Sequence, residues 1–418
     1  MLYNVFYFTI TLMLVIPMSI SGVGSAILSF PIILISSFFY FIKKDPDFLS
    51  KEVVLSLFFY FIFVVFVTLV PFIHATDSFD LLVFVYYGLF LFVSSFMLVF
   101  CYRCHYKENY QYILLRNLYL VGSLNAVVAV LVILSPEIKD VVYSVIDTSK
   151  TNEENLTSGL RSSGLFLFGG SIMSLFHCLI VYIGLVYVKY KKLYMNNTVF
   201  IFDVILLAFN VLAVFLSGRM GGVILIITFV TILVTPSKFS RVNKIFVLKI
   251  ILLVSSVLTS IILFFYDDFK KFIEWAFELF INIFSGNEVG TASSDVLKSM
   301  YRFPSDMIFG EGVFSMIGLG IDSGYVLMTW YFGIFAILVF LAMLCSHFFI
   351  VLQKHSNADV FAVYLFCLFL ILIGNFKDIY LFGSSGVAQI YFISMILCLL
   401  NNGYLKLPRT LENKSNMF

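Results

Sequence analysis

From Phe200 to Leu216 and from Val223 to Val234 the chain is apolar, with Asp203 as the one ionisable residue. Only Ser217-Gly218-Arg219-Met220-Gly221-Gly222 separates the two runs. A backbone in hydrocarbon must satisfy its hydrogen bonds internally, so two such runs on a short link read as a helical hairpin across a bilayer. Comparable windows recur near 3–20, 23–42, 53–73, 81–101, 114–134, 165–188, 245–265, 325–350, 360–376 and 385–400. With 61% hydrophobic and 12% charged residues the chain falls outside the range of soluble domains. The expectation is an all-α polytopic membrane protein of about twelve transmembrane helices in a single membrane domain over 1–418.

Lys and Arg gather on the cytoplasmic side of short loops. Lys43-Lys44, Arg103 with Lys107, Lys189 with Lys191-Lys192, and Lys238 with Arg241 and Lys244 all fall on one side of an alternating twelve-span arrangement. Both termini, including a tail at 401–418, are then cytoplasmic, and Arg219 faces outward. No Lys or Arg occurs in the first 42 residues, so a cleavable signal peptide lacks its charged n-region and the first span is expected to stay. The net charge of +2 gives no sign of nucleic-acid binding.

Cys178, Cys345, Cys367 and Cys398 lie within spans, and Cys101 and Cys104 at a cytoplasmic helix end, so no structural disulfide is expected. Cys101-Tyr102-Arg103-Cys104 has C-x-x-C spacing, but a zinc site needs two further ligands and only His105 is near. His177, within the sixth span, reads as a packing residue.

Two outer segments are long, 135–164 and 266–324. The first opens on Ser135-Pro136-Glu137, a capping serine followed by proline at the first helical position. Ile138, Val141, Val142, Val145 and Ile146 then recur at helical spacing, which predicts a short amphipathic helix along the membrane surface. A polar stretch, Thr148 to Ser158, leads to Gly159-Leu160-Arg161 at the mouth of the sixth span. The second segment predicts an amphipathic helix over 267–283. Phe269, Phe272, Ile273, Ala276, Phe277 and Phe280 form one face, with Asp268, Lys271, Glu274 and Glu278 largely opposite. It is either an interfacial helix or the core of a small outer subdomain. A short helix over 295–303, stopped by Pro304, and a glycine-rich run from Gly310 to Gly324 complete the segment.

Arg161, Arg219 and Arg302 thus reach the outer face from three separate hairpins. A planar guanidinium matches phosphate oxygens and stays charged at any relevant pH, so a shared diphosphate is one reading. Separate pairing with acidic loop residues or lipid headgroups is the other.

Arg-Ser-Ser-Gly-Leu-Phe at 161–166, Ser-Gly-Arg-Met-Gly-Gly at 217–222, and Gly-x-Gly at 310–312 followed by Asp-Ser-Gly-Tyr and Phe-Gly-Ile resemble the Wzy-type O-antigen and capsule polysaccharide polymerases. The resemblance covers about residues 100–400. Met220 departs from the commonest second motif, where a small or basic residue often stands. What the resemblance implies is a GT-C-like architecture in the bacterial inner membrane and glycosyl transfer on its outer, periplasmic face. The substrates would be polyprenyl-diphosphate-linked oligosaccharide repeat units, with polyprenyl diphosphate as the leaving group. Membrane lipid and a chain-length regulator protein would be partners, and no metal or other cofactor is required.

Under that resemblance Arg161, Arg219, Arg302 and Lys377 are the candidates for diphosphate binding. Asp322 is the candidate base, with Glu311 as competitor, and Ser323 and Tyr325 are candidates for sugar binding. Local chemistry offers alternatives: Asp322 as a helix cap and Tyr325 as an interface anchor. An O-antigen ligase, passing the glycan to lipid A core, shares this architecture but usually carries a histidine before the tenth span, where Ile321-Asp322-Ser323 stands here. A lipid-linked oligosaccharide flippase more often shows matching halves with interrupted helices, and no internal repeat is evident. A metal-dependent transferase would have to use Asp267-Asp268, or Asp77 with Asp80.

Overall fold

A computed structural model describes residues 2–43, 50–76, 80–147, 154, 156–158, 161–167, 169–192, 197–234, 244–268, 270–271, 274–275, 278, 285, 301–314, 321–355 and 357–400. The tail at 401–418, most of the polar stretch 148–158, Asp77, and residues 295–300 and 315–320 lie outside them, as does much of the helix expected over 267–283.

Every apolar window expected from the sequence overlaps a helix. In chain order these are α1 (Leu2–Val15), α2 (Ser25–Lys43), α3 (Lys51–His74), α4 (Asp80–Tyr106), α5 (Tyr110–Leu134), α7 (Ser171–Lys192), α8 (Asn197–Ser217), α9 (Arg219–Val234), α10 (Lys244–Phe264), α11 (Gly324–Lys354), α12 (Ala358–Gly374) and α13 (Val387–Leu399); the outer segment adds α6 (Pro136–Val145). Among the described residues, five stretches are long and apolar enough to cross a membrane: Ser25–Ile42, Lys51–His74, Leu81–Leu134, Ser171–Val188 and Gly324–Lys354. Leu81–Leu134 is two helices, α4 and α5, broken by a 3-10 turn at Lys107–Asn109 where Lys107 takes φ 50°. The apolar stretches of the other helices run 10–17 residues among the described residues. The chain is an all-α membrane protein.

Packing divides it into two compact units, a division that the expectation of one membrane domain did not contain. One gathers Met1–Pro31 and Tyr106–Val289, the other Ile32–His105 and Gly290–Leu405.

The first unit is built round α7, which packs on α5, α8 and α9, with α10 against α8. Helix α7 is apolar on all sides and correspondingly enclosed. Close helix approach in an apolar medium depends on small residues, since no hydrophobic gain drives it. Gly184 is such a point, for a Cβ there would stand 2.7 Å from both Leu207 and Tyr119.

The link between α1 and α2 is a short hairpin. Ser19–Ile20 pairs antiparallel with Val23–Gly24, and Ser21 and Gly22, at φ 52° and 80°, supply the two positive-φ residues that such a tight turn requires. Asp147, which follows α6, anchors it: its Oδ2 accepts from Gly22 N at 2.6 Å and Ser19 Oγ at 2.7 Å. Helix α6 itself starts as its sequence predicts, with Ser135 Oγ accepting from Ile138 N at 3.2 Å.

The second unit is built round α13, whose every residue is buried, against α3, α11 and α12. Aromatic rings fill its core: Phe63 stacks on Phe382 at 5.2 Å and Tyr364 on Tyr391 at 5.4 Å. His347 joins two helices, bonding Tyr391 Oη at 3.1 Å and Ser56 O at 3.0 Å. All six cysteines are free thiols. Cys101 lies 3.2 Å from Ser37 Oγ, and His105 is bonded to Tyr40 at 3.0 Å, so both tie α4 to α2.

The Gly22 amide, then the Ser19 hydroxyl, hold the Asp147 carboxyl below the usual carboxylate range. A group with a depressed folded pKa stabilises above its unfolded value, about 4, and loses that contribution as pH falls through the lower folded value. Amide exchange at Gly22, corrected for intrinsic rate, should therefore stay protected from neutral pH to about 5 and lose protection below about 4. Asp147→Ala should remove that protection at neutral pH.

Candidate anion site

Arg219 is the first residue of α9, and Gly218 alone separates it from the end of α8. The expected six-residue interruption is thus a single-residue junction, with Arg219 to Gly222 inside the helix. Sequence chemistry explains how so tight a corner is possible. A Cβ at Gly218 would lie 3.0 Å from Gly170 O, and one at Gly221 would lie 2.6 Å from Ser174 O. The glycines let the start of α9 lie against the start of α7. Ser174 Oγ then donates to Val214 O at 2.8 Å and Gly218 O at 2.6 Å, and Ser162 N to Leu216 O at 3.1 Å. Carbonyls that the end of α8 would leave open are taken in this way.

Ser162 is also tied to α5, its Oγ donating to Ala129 O at 2.8 Å. The residue before it, Arg161, and Arg219 therefore leave neighbouring anchor points. Both guanidinium carbons lie over the indole of Trp275, at 5.2 Å for Arg161 and 4.6 Å for Arg219. Arg219 Nε donates to Trp275 O at 2.8 Å, and its Nη2 makes a close ion pair with Glu278. Its side chain is 17% exposed. Arg219 is held inward, not extended to a headgroup. Its Nη1 is buried with no hydrogen-bond partner among the described residues.

Two of the expected arginines are thus brought together in one unit, with a tryptophan and a carboxylate that sequence reasoning had not singled out. Glu278 had been placed on the polar face of an amphipathic segment, which is the available signal for it.

Arg302, Lys377, Glu311, Asp322, Ser323 and Tyr325 belong to the other unit. Arg302 is exposed, and its carbonyl accepts from Trp330 Nε1 at 2.7 Å. Lys377 follows the end of α12, its N–H donating to Gly374 O at 2.8 Å. Asp322 is half-buried just before α11. The cap of α11 is Ser323, not Asp322: its Oγ accepts from Val326 N at 3.5 Å and donates to Asn375 O at 3.3 Å. Tyr325 Oη donates to Leu372 O at 2.9 Å and its ring meets Phe376 edge-on at 4.9 Å. The groups expected to bind sugar are both used to join α11 to α12.

Glu311 also has an internal role. Its Oε1 accepts from Ser305 N at 2.8 Å and Ser305 Oγ at 2.9 Å, shaping a loop that mends a break in α11. The helix loses its dihedrals at Phe332 and at Gly333, which takes φ 60°. Glu311 N donates to Trp330 O at 2.8 Å, Gly312 N to Tyr331 O at 3.1 Å, and Ile334 N to Met307 O at 3.0 Å. Gly310 stands so close that a Cβ would lie 2.6 Å from Gly333 N.

Comparison with protein-family models, curated proteins and solved structures finds no match to this chain.

The cluster has a built-in reporter. The chain contains two tryptophans, so in Trp330→Phe all indole emission comes from Trp275. Arg161→Ala and Arg219→Ala should each shift that emission and lower stability by about 0.5–2 kcal/mol, the range for a cation over an aromatic face. Emission unchanged by both would count against the arrangement.

Proposed function

We propose that this chain is a polysaccharide polymerase, a glycosyltransferase with about twelve membrane spans and a GT-C-like architecture in a bacterial inner membrane. Both termini are assigned to the cytoplasm and the anion site to the outer face. It joins polyprenyl-diphosphate-linked oligosaccharide repeat units. The observation that carries the reading is the convergence of Arg161 and Arg219 on Trp275, with Glu278 paired to Arg219. Among the described residues, two guanidinium groups and the Glu278 carboxylate share a half-buried site. A diphosphate supplies several anionic oxygens where Glu278 supplies one pair, and it takes the Nη1 donor that is otherwise unused.

The transfer balances without an external energy source. The acceptor hydroxyl oxygen bonds to the anomeric carbon of the growing chain as the bond from that carbon to the diphosphate breaks. The leaving polyprenyl diphosphate keeps the electron pair, and the hydroxyl proton passes to a carboxylate. Fixed guanidinium groups stabilise the charge that develops on the leaving group. Asp322 is the preferred base. Glu311 ranks below it, because its carboxylate already holds Ser305.

Reconstitution with a defined polyprenyl-diphosphate repeat unit, read as a ladder on a gel, tests the reading. The wild-type chain should polymerise without added lipid A, and Arg161→Ala and Arg219→Ala should lower turnover by about 100-fold while still inserting. Arg219→Lys should rescue partly, since it keeps charge but loses the planar fork. Normal ladders from both alanine variants overturn the proposal. Product that forms only when lipid A core is supplied identifies a ligase.

A further inference from the structure

In the first unit a line of buried polar side chains runs between α5, α7 and α8, apart from the anion cluster. Asn125, His177 and Asn210 are fully enclosed, and Ser123 is 1% exposed. Leu165 N donates to Asn125 Oδ1 at 2.7 Å. An amide N–H can only donate, so the Asn125 amide has one permitted orientation, with Nδ2 facing His177 Nε2 at 2.9 Å. His177 Nε2 must accept there, and the ring proton sits on Nδ1, which donates to Asn210 Oδ1 at 2.9 Å. At the far end Asn210 Nδ2 donates to Leu206 O and Ser123 Oγ, both at 2.8 Å. A carbonyl can only accept, so that end is fixed as well. With a donor-only group at one end and an acceptor-only group at the other, the chain has a single direction and His177 a single neutral tautomer.

The Leu165 end belongs to the segment that carries Arg161. Gly164 takes φ 56°, and a Cβ there would lie 2.7 Å from Asn125 Oδ1. Asn125 thus reaches the Leu165 amide because position 164 has no side chain. The segment is pinned on one side of this glycine by Ser162 and on the other by Asn125.

We infer that His177 is a positioning residue for the Arg161 segment: by fixing the Asn125 amide it holds the backbone of 161–165, and through it the Arg161 guanidinium over Trp275. Its consequence for ligand binding rests on the anion-site reading above; its consequence for the segment does not. A His177→Gln side chain keeps an acceptor near the Nε2 position and so keeps Asn125 in place. His177→Asn reaches only towards Asn210.

Full-length Trp330→Phe protein and its variants in detergent give two readouts, amide exchange over 161–167 and Trp275 fluorescence titrated with inorganic pyrophosphate. His177→Asn should expose the segment to exchange and weaken pyrophosphate about tenfold, the effect of one lost buried hydrogen bond. His177→Gln should retain parental behaviour in both, as should Ser123→Ala at the far end of the line. Gly164→Ala, which presses on the Asn125 amide and carbonyl from the loop and leaves His177 and Asn210 unchanged, should reproduce the His177→Asn exchange and decides the matter if His177→Asn fails to fold. Parental exchange in His177→Asn or in Gly164→Ala, or equal impairment of the Gln and Asn variants, overturns the inference. If the parent fails to bind pyrophosphate, the anion-site reading falls, while the exchange comparison still decides the role of His177.

Discussion

The charge of Arg219 is the constraint around which the first unit is arranged. A guanidinium at the junction of two apolar helices loses hydration worth several kcal/mol, and only close, well-directed acceptors offset that loss. The Trp275 carbonyl and Glu278 supply them from 56 and 59 residues further along the chain. The charge therefore draws the segment after α10 onto the corner between α8 and α9. The glycines at 218 and 221 serve the same end, since without their close approach to α7 the corner would not lie beside the Arg161 segment. Packing, backbone satisfaction and charge pairing thus meet at one place, and the proposed anion site draws on that combination.

The second unit meets a related demand with backbone groups in place of a side-chain charge. A helix broken at Phe332 and Gly333 exposes carbonyls and an amide that apolar surroundings cannot satisfy. The loop over 305–312 answers each of them, and His74 and Thr76 in turn hold that loop through Phe309 O and Gly312 O, both at 3.0 Å. The Gly310-Glu311-Gly312 string owes its composition to this repair: glycines where backbones touch, and a carboxylate to turn the loop.

These two demands differ in how far the sequence reveals them. Apolar runs declare their helices, because burial in lipid requires a continuous stretch, and Ser135-Pro136 declares the start of α6 by its own capping chemistry. Arg161 and Arg219 stand out because a charge among apolar residues has few explanations. Their partners do not stand out. Glu278 is one of several acidic residues on a polar helix face, and Trp275 lies off the apolar stripe of the same segment. Which of them an arginine more than fifty residues away selects is decided by tertiary packing. Ser323 shows the opposite case, where a local rule was available but Asp322, one position earlier, offered the same capping chemistry. His177 read as a packing residue because one histidine cannot announce two asparagines on other helices.

The resident carboxylate bears on selectivity under the proposed function. A simple monoanion gains little at Arg219, since Glu278 already occupies that guanidinium at no cost in translational freedom. A ligand with several anionic oxygens can engage Arg161 and Arg219 together, and the second contact is then effectively intramolecular. Glu278 thus raises the threshold for weak anions more than for a diphosphate, which is discrimination by competition and not by added attraction. The same carboxylate compensates the Arg219 charge when no ligand is bound, so under the proposed function the feature that stabilises the resting protein also decides which ligand displaces it.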